Sequence, residues 1–387
     1  MSDDRTIALY VHWPFCRVKC PYCDFNSHVR AEVDQGRWRR ALLAELDHFA
    51  VEVGPRRLTS IFFGGGTPSL MPPATTAAVI DRAIQHFVAD PALEITLEAN
   101  PTSVEAGRFA DYRTAGVNRA SIGVQALDDR ALKALGREHD AAEAIAAIEL
   151  AGRTFPRWSF DLIYARPGQT VAAWRAELGR VLDLAGEHLS LYQLTIEPGT
   201  VFHARQRAGL LVTPRDDRQA ALFELTQELT DAAGFGAYEV SNHARPGGEC
   251  RHNLTYWRYE PYIGIGPGAF GRLPAGAGRV GTATLRAPEA WLRAVEGRGH
   301  GELQREVLAP EDLVVEALIT GLRLTEGVPE ARLAALDPDW RTRLDPRARV
   351  RLQEAEHLDS EAGALRLTGA ARLCLDAVLR ELVAVPA

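Results

Sequence analysis

Three thiols carry the most distinctive chemistry in this sequence. Cys16, Cys20 and Cys23 form C-x3-C-x2-C within the stretch Tyr10 to Asn26, directly after a short apolar, strand-like run over 7–11. Helical winding would bring all three sulfurs to one face, but Pro14 and Pro21 break it, so a loop is expected. A loop that gathers three thiolates and no fourth suits an iron–sulfur cluster with one iron left open to another ligand. Structural zinc asks for four closed ligands, and no fourth cysteine or metal-spaced histidine lies near. Three thiols merely buried in a core are the remaining alternative.

Further groups sit where a strand pattern ends. An apolar run over 58–63 stops at Gly64-Gly65-Gly66-Thr67-Pro68, and three glycines there let backbone N–H and C=O groups come close to a ligand. Glu98 closes a strand-like run over 94–97, and Gln125 closes another over 119–124. Asp161 lies within a run over 158–164, and Arg137 follows Gln125 by twelve residues. Read alone, Glu98 and Arg137 would be solvated charges and Asp161 a buried structural carboxylate.

The elements that must position these groups alternate. Helical spacing of Trp38, Leu42, Leu46 and Phe49 predicts an amphipathic helix over 38–51. Helices over 75–87, 104–115, 141–152 and 171–185 separate the remaining strands, the last strand running over 188–195. Six strand–helix units predict an α/β fold with a parallel sheet, too few for a closed eight-stranded barrel and so an open partial (β/α)6 barrel. The carboxyl ends of such strands form one rim, where barrels of this kind build their sites. That rim would collect Cys16, Gly65, Glu98, Gln125 and Asp161.

Past a helix over 216–234 the pattern changes. Residues 236–242 and 253–258 read as strands, around the run His252-Asn-Leu-Thr-Tyr-Trp257. Gly266 to Gly271 spells G-x-G-x-x-G, but no strand–helix context follows, which argues against a dinucleotide site. A helix over 285–296 and a glycine-rich linker over 297–301 precede helices, a short β segment over 365–368 and a last helix. The division expected is a barrel over 1–235, a β/loop extension over 236–300 and a small α-rich, winged-helix-like domain over 301–387.

Composition sets the outer bounds. The chain has 387 residues, 46% hydrophobic and 25% charged, with net charge −7, which offers no electrostatic footprint for nucleic acid. Five cysteines, three of them clustered, do not suggest a disulfide framework. Clustered thiols need a reducing compartment, so a cytoplasmic location is expected. The opening Met1-Ser-Asp-Asp-Arg lacks the apolar core of a signal peptide, and no run approaches a membrane span.

The cysteine motif and its flanks, Tyr10-Val-His-Trp-Pro-Phe-Cys16 and Cys20-Pro-Tyr-Cys23-Asp-Phe-Asn, resemble the radical S-adenosylmethionine (SAM) family. They are closest to the branch holding oxygen-independent coproporphyrinogen III oxidase and the HemW-type heme chaperones. The resemblance implies a [4Fe–4S] cluster on Cys16, Cys20 and Cys23, with SAM on the open iron. It also implies SAM contacts from Tyr10, Gly65, Gly66, Thr67, Glu98, Gln125, Arg137 and Asp161. His252, in the H-N-x-x-Y-W pattern, is then the implied heme contact, with Cys250 and the more distant His243 as lesser candidates and a hydrogen-bonded structural histidine as the alternative.

Two activities follow from this resemblance. One is a heme chaperone that passes heme to acceptor proteins, including respiratory ones at the membrane. The other is an enzyme that decarboxylates coproporphyrinogen III. The oxidase pattern calls for a cysteine two residues past Cys23 and a longer segment before the cluster, whereas this chain has Phe25 and an early Cys16; both features favour the chaperone. Two departures from the branch are Arg166, where an apolar residue is expected at the edge of the pocket, and Phe270, where a histidine is common. A homodimer is left open.

Overall fold

In the computed structural model of the chain, residues 5–276, 278–360 and 363–383 are described. Residues 1–4, read above for a targeting signal, lie outside them. The alternation expected of the first half is present. Strand β1 (Thr6–Trp13) leads through α1 (Gln35–Val53) to β2 (Arg57–Gly65), then α2 (Pro73–His86) and β3 (Val88–Ala99). Two short helices, Ser103–Ala106 and Phe109–Thr114, replace the single one expected before β4 (Arg119–Gln125). After α3 (Ala141–Thr154) come β5 (Arg157–Tyr164), α4 (Val171–Leu184) and β6 (His188–Gln193).

All six strands are parallel neighbours in sequence order. Alternation along each strand divides two environments. Leu9, Val11 and Trp13 join Trp38, Leu42 and Phe49 of α1 in the main core outside the sheet. The opposite residues (Ser60, Thr96, Arg119, Ser121, Ser159 and Ser190) are buried and polar, so the barrel interior is polar rather than oily.

The rest of the chain extends this sheet. Following α5 (Asp216–Ala232), β7 (Gly236–Ala237) and β8 (Asn242–Ala244) add antiparallel strands beyond β6. At the other edge β9 (Tyr262–Ile265) pairs with β1 in parallel, a seventh parallel strand that was not expected. β10 (Phe270–Ala275), β11 (Gly278–Thr284) and β12 (Glu302–Val307) continue outward as an antiparallel meander, with α7 (Pro288–Arg298) between the last two. The twelve strands run β12-β11-β10-β9-β1-β2-β3-β4-β5-β6-β8-β7.

Residues 297–301 do not form a free linker. Gly299 ends α7 at φ +85°, and the Gly301 N–H donates to Glu45 at 2.7 Å. Glu45, fully buried, also accepts from the Gly266 N–H at 2.7 Å and from the Trp291 indole, which pins the glycine-rich loop against α1. Burial holds its carboxyl up at about 7, against the pull of those three donors.

The expected strand over 253–258 is a helix, α6 (Arg251–Trp257). The run Thr255-Tyr-Trp is rich in strand-forming residues, but i, i+3 and i, i+4 spacing places His252, Thr255 and Tyr256 on one face, which packs into the barrel. Beyond α6, α8 (Pro310–Gly321) and four shorter α-helices surround a three-stranded sheet of Val328–Pro329, Ala364–Leu367 and Leu358–Asp359, built on its own core. Arg272–Glu316 at 2.7 Å and Arg323–Glu239 at 2.9 Å fasten this winged-helix-like domain to the barrel.

Candidate functional site

β1 ends in Trp13-Pro14, and a short strand, Phe15–Cys16, then opens the cysteine loop. Asn26 closes it: its Nδ2 donates to the Pro267 and Arg286 carbonyls at 2.8 and 2.9 Å, tying the loop to the glycine-rich segment. His12 supports it from below. Its Nε2 faces the Asn26 carbonyl at 2.9 Å, which can only accept, so Nδ1 accepts from the Tyr10 hydroxyl at 3.0 Å. Burial depresses His12 to about 4, in keeping with that neutral tautomer.

The three glycines are required here by space. Gly65 pairs with Trp13 across the sheet, sits at φ +109°, and a Cβ on it would lie 2.6 Å from the His12 ring. A Cβ on Gly66 would meet the Phe15 carbonyl at 2.8 Å. The strand end thus presses against the cysteine loop, and Thr67, through its N–H to Phe15 O at 2.9 Å, is locked beside Cys16.

One cavity of about 430 Å³ gathers ten of the twelve expected residues: Cys16, Cys20, Cys23, Gly65, Gly66, Thr67, Glu98, Gln125, Arg137 and Asp161 line it, with Asn100. The thiols are free. Donors reach two of the sulfurs: Thr67 Oγ1 donates to Cys16 Sγ at 3.3 Å and Arg137 to Cys20 Sγ at 3.5 Å, while Ser27 Oγ lies 3.8 Å from Cys23 Sγ. Hydrogen bonds to the sulfurs are what tune and hold iron–sulfur ligands. Among the described residues no three His, Cys, Asp or Glu groups converge on a point that would hold a single metal ion. Three thiols on one wall, with their donors, fit a cluster whose irons are spread out.

Across the cavity stand the carboxylates. Glu98 is pushed up to about 8 by burial first and Asp161 second, partly offset by the Gly65 N–H. Asp161 is raised to about 6 by burial, against hydrogen bonds from Ser190 and Ser121 and the charge of Arg119. A cationic ligand such as the sulfonium and ammonium of SAM would favour the charged form of these two half-buried carboxyls and gain from both. Gln125 lies at the end of β4 with φ +71°, a left-handed conformation that turns the chain at the rim.

Arg137 lies on the same cavity, held by protein partners. Its guanidinium spans Asn100 Oδ1 at 2.6 Å, the Gly123 carbonyl at 2.7 Å and Cys20, leaving Nε buried without a partner. Asn100, which sequence reasoning passed over, links this arginine to Thr67 through Nδ2 at 3.3 Å. Only its place two residues past Glu98, on the same rim, could have flagged it.

Two expected residues lie elsewhere. Tyr10 lines a second cavity of about 730 Å³, along with Phe25, Tyr256, Trp257, Tyr262 and Phe270. This cavity shares Asp24, Phe25, Gly65 and Glu98 with the first. His252 lines neither. It is buried beneath the second, its Nδ1 2.8 Å from Ser60 Oγ and its Nε2 2.8 Å from the Tyr256 hydroxyl. Cys250 is buried and donates to Glu94 at 3.4 Å; His243 is buried against Gln227. Arg166 does not shape the first cavity: it is buried against Glu177 and Gln169 on the far side of β5.

A parallel partial barrel with C-x3-C-x2-C at its carboxyl rim defines a radical SAM protein. Residues 10–178 match the Radical SAM superfamily, and residues 308–374 match the HemN C-terminal domain. The fold matches the solved coproporphyrinogen III oxidase HemN of Escherichia coli with a TM-score of 0.81 at 22% identity, covering 97% of this chain and 89% of that one. Among curated proteins, the heme chaperone HemW of Escherichia coli is 42% identical over 85% of each chain. HemW of Mycobacterium tuberculosis is 37% identical over 98% of this chain and 95% of its own. The mitochondrial radical S-adenosyl methionine domain-containing protein 1 of Bos taurus is 42% identical over 86% and 76%. The chain belongs to the HemW family of radical SAM proteins. That membership implies SAM and a [4Fe–4S] cluster. No helix among the described residues is long and apolar enough to cross a membrane.

Proposed function

We propose that this chain is a heme chaperone: it holds heme beside a SAM-ligated [4Fe–4S] cluster and delivers it to acceptor proteins in the cytoplasm or at a membrane face. The observation that carries this reading is the second cavity. Its walls are aromatic, its volume of about 730 Å³ falls in the range of small-molecule sites, and it shares Gly65 and Glu98 with the cluster cavity. Flat aromatic faces suit the face of a porphyrin, and Arg272 and Arg286 on the same lining suit its carboxylates. The relatives named heme chaperones support the same assignment.

Within this reading each residue has a defined task. Cys16, Cys20 and Cys23 hold the cluster; Thr67 and Arg137 donate to their sulfurs. Gly65 and Gly66 let the methionine end of SAM lie against backbone, and Glu98, Gln125 and Asp161 face its cationic and ribose groups. When bound and reduced, SAM and the cluster supply radical chemistry. Tyr10 bridges the two cavities, because its ring lines the heme cavity while its hydroxyl holds His12 beneath the cluster loop. His252 supports the wall through Tyr256, and it reaches a heme iron only if that hydrogen bond is given up.

The shared Glu98 and Gly65 also favour a second reading. A tetrapyrrole in the aromatic cavity would sit against the SAM site, as coproporphyrinogen III decarboxylation requires. Phe25 stands against it, an exposed apolar ring on the cavity wall where the oxidase pattern calls for a thiol. The test is a heme titration of reconstituted protein, followed by transfer to an apo-acceptor. Saturable binding lost in Tyr262→Ala and Phe270→Asp, with transfer by the parent chain, is expected. Binding indifferent to both substitutions would remove heme from this cavity.

A further inference from the structure

A third cavity, of about 830 Å³, opens on the helical exterior of the barrel, away from both sites. Four segments wall it: the helix Asp129–Ala134, the loop of residues 166–169, α4, and the helix Val201–Arg207 with the loop after it. Six charged residues line it, and three of them are already committed. Arg166 and Glu177 pair with each other, and Asp128 caps its own helix through the Ala131 N–H at 2.8 Å. Arg130, Arg180 and Arg205 are exposed, and among the described residues none of the three is paired with a carboxylate. In a chain of net charge −7, three guanidiniums without a carboxylate partner around one cleft, one of them donating to the Leu127 carbonyl at 3.4 Å, form a local positive field.

Aliphatic surface stands beside that charge. Leu210 and Val212 are 79% and 73% exposed, both on the cleft. Isolated exposed aliphatics need no explanation, but two at the rim of an arginine-lined cleft make a patch of the kind partners cover. The floor leads back to the cluster. Leu135 and Phe202 are buried there, in a small core with Ile163 and Leu194 on which Tyr22 packs. The Phe202 N–H donates to the Pro21 carbonyl at 2.9 Å, and a Cβ on Gly136 would lie 2.6 Å from Pro21. The cleft is thus braced against the loop between Cys20 and Cys23.

We propose that this cleft is a docking site for an acidic partner protein, which lays a segment of aliphatic residues flanked by carboxylates across Arg130, Arg180, Arg205, Leu210 and Val212. Carboxylates meet the three guanidiniums, and the aliphatic side chains cover Leu210 and Val212. Because Phe202 and Leu135 carry the cluster loop, occupancy of the cleft is felt at the cluster without any contact to it. This inference does not depend on what the aromatic cavity binds.

The test uses full-length reconstituted protein and a fluorescein-labelled helical peptide with leucines along one stripe and glutamates beside it. A matched peptide carries lysines in place of glutamates. The acidic peptide is expected to raise anisotropy saturably, to weaken about tenfold in Arg130→Glu/Arg205→Glu, and to perturb the electron paramagnetic resonance signal of the reduced cluster. Leu210→Ser/Val212→Ser, which keeps the charge, is expected to weaken it as well; circular dichroism checks that both variants fold. Equal binding of the two peptides, no binding of either, or an acidic peptide indifferent to the charge reversal would overturn the proposal. So would binding of phosphatidylserine vesicles through the same arginines with no peptide binding, which would make the cleft a membrane contact.

Discussion

The two cavities on the carboxyl rim share a wall and differ in almost everything else. The cluster cavity is assembled from strand ends and one loop, and its lining is backbone, thiols and carboxyls. Its groups are held by neighbours a few ångströms away: Thr67 on Cys16, Arg137 on Cys20, the Gly65 N–H on Glu98. The aromatic cavity draws on the barrel, α6, the β9–β10 segment and α8 of the C-terminal domain, and aromatic rings make up much of its lining, with charged side chains such as Glu260, Arg272 and Glu316 between them. Chemistry that needs fixed charges is placed on the rigid parallel strands. Binding that needs shape and area is placed where three parts of the chain meet. Substitutions in one cavity should therefore leave the other largely intact, except at the residues that touch both.

The largest separation is expected from Cys20→Ala. Removing one of three thiolates should abolish the cluster, read as loss of bound iron and of its visible absorbance, while heme binding persists. Loss of both together would mean that the cavities are one cooperative unit. Gly65→Ala comes next. The methyl group meets the His12 ring at 2.6 Å and the φ of +109° is unfavourable, a cost of about 1–3 kcal/mol. Since Gly65 lies on the shared wall, both SAM and heme affinity should fall, by calorimetry and Soret titration.

Proton linkage sharpens the contrast. SAM affinity should rise with pH as Asp161 and then Glu98 ionise, near about 6 and about 8, and then level off. Glu98→Gln should remove the upper step and weaken SAM by about tenfold, the worth of a charge-assisted contact. For the ligand-free protein the sign reverses. Glu98 is raised above its ordinary 4.5, so its stabilising contribution is complete below that pH and is lost as pH climbs to about 8. Thermal unfolding of the ligand-free chain should therefore occur at a lower temperature at pH 8 than at pH 5, with Glu98→Gln flattening the difference. The smallest effect is expected from Tyr256→Phe, which removes the hydroxyl from His252 Nε2 at a cost of about 1 kcal/mol. It should weaken heme modestly, leave the cluster unchanged, and free an imidazole nitrogen whose ligation to iron would appear in the Soret band.

The same division explains what could be read in advance. The cluster motif lies within eight residues, and thiol spacing is a local property. The family resemblance singled out Gly65, Glu98 and Gln125, and strand–helix alternation explains why these strand ends meet on one rim. Their supports were not legible: Asn26 reaches across 241 residues to Pro267, and Asn100 matters only because Arg137 folds onto it. Propensity misled at α6, where Thr255, Tyr256 and Trp257 suggested a strand and burial of one face produced a helix. β9 was missed as a parallel barrel strand because no preceding helix in the pattern announced it, since α6 lies inside the barrel. Arg166 looked like a disturbance of the SAM pocket, but Glu177, eleven residues on, takes it away from that pocket.

The central claim is that the aromatic cavity carries heme beside a radical SAM centre without decarboxylating a porphyrin. Reconstituted protein would be incubated anaerobically with SAM, a low-potential reductant and coproporphyrinogen III, and the tetrapyrroles separated. The account predicts unchanged coproporphyrinogen from a preparation that binds heme stoichiometrically. Vinyl-bearing product would contradict it and make the chain an oxidase that works with Phe25 in place of the expected thiol.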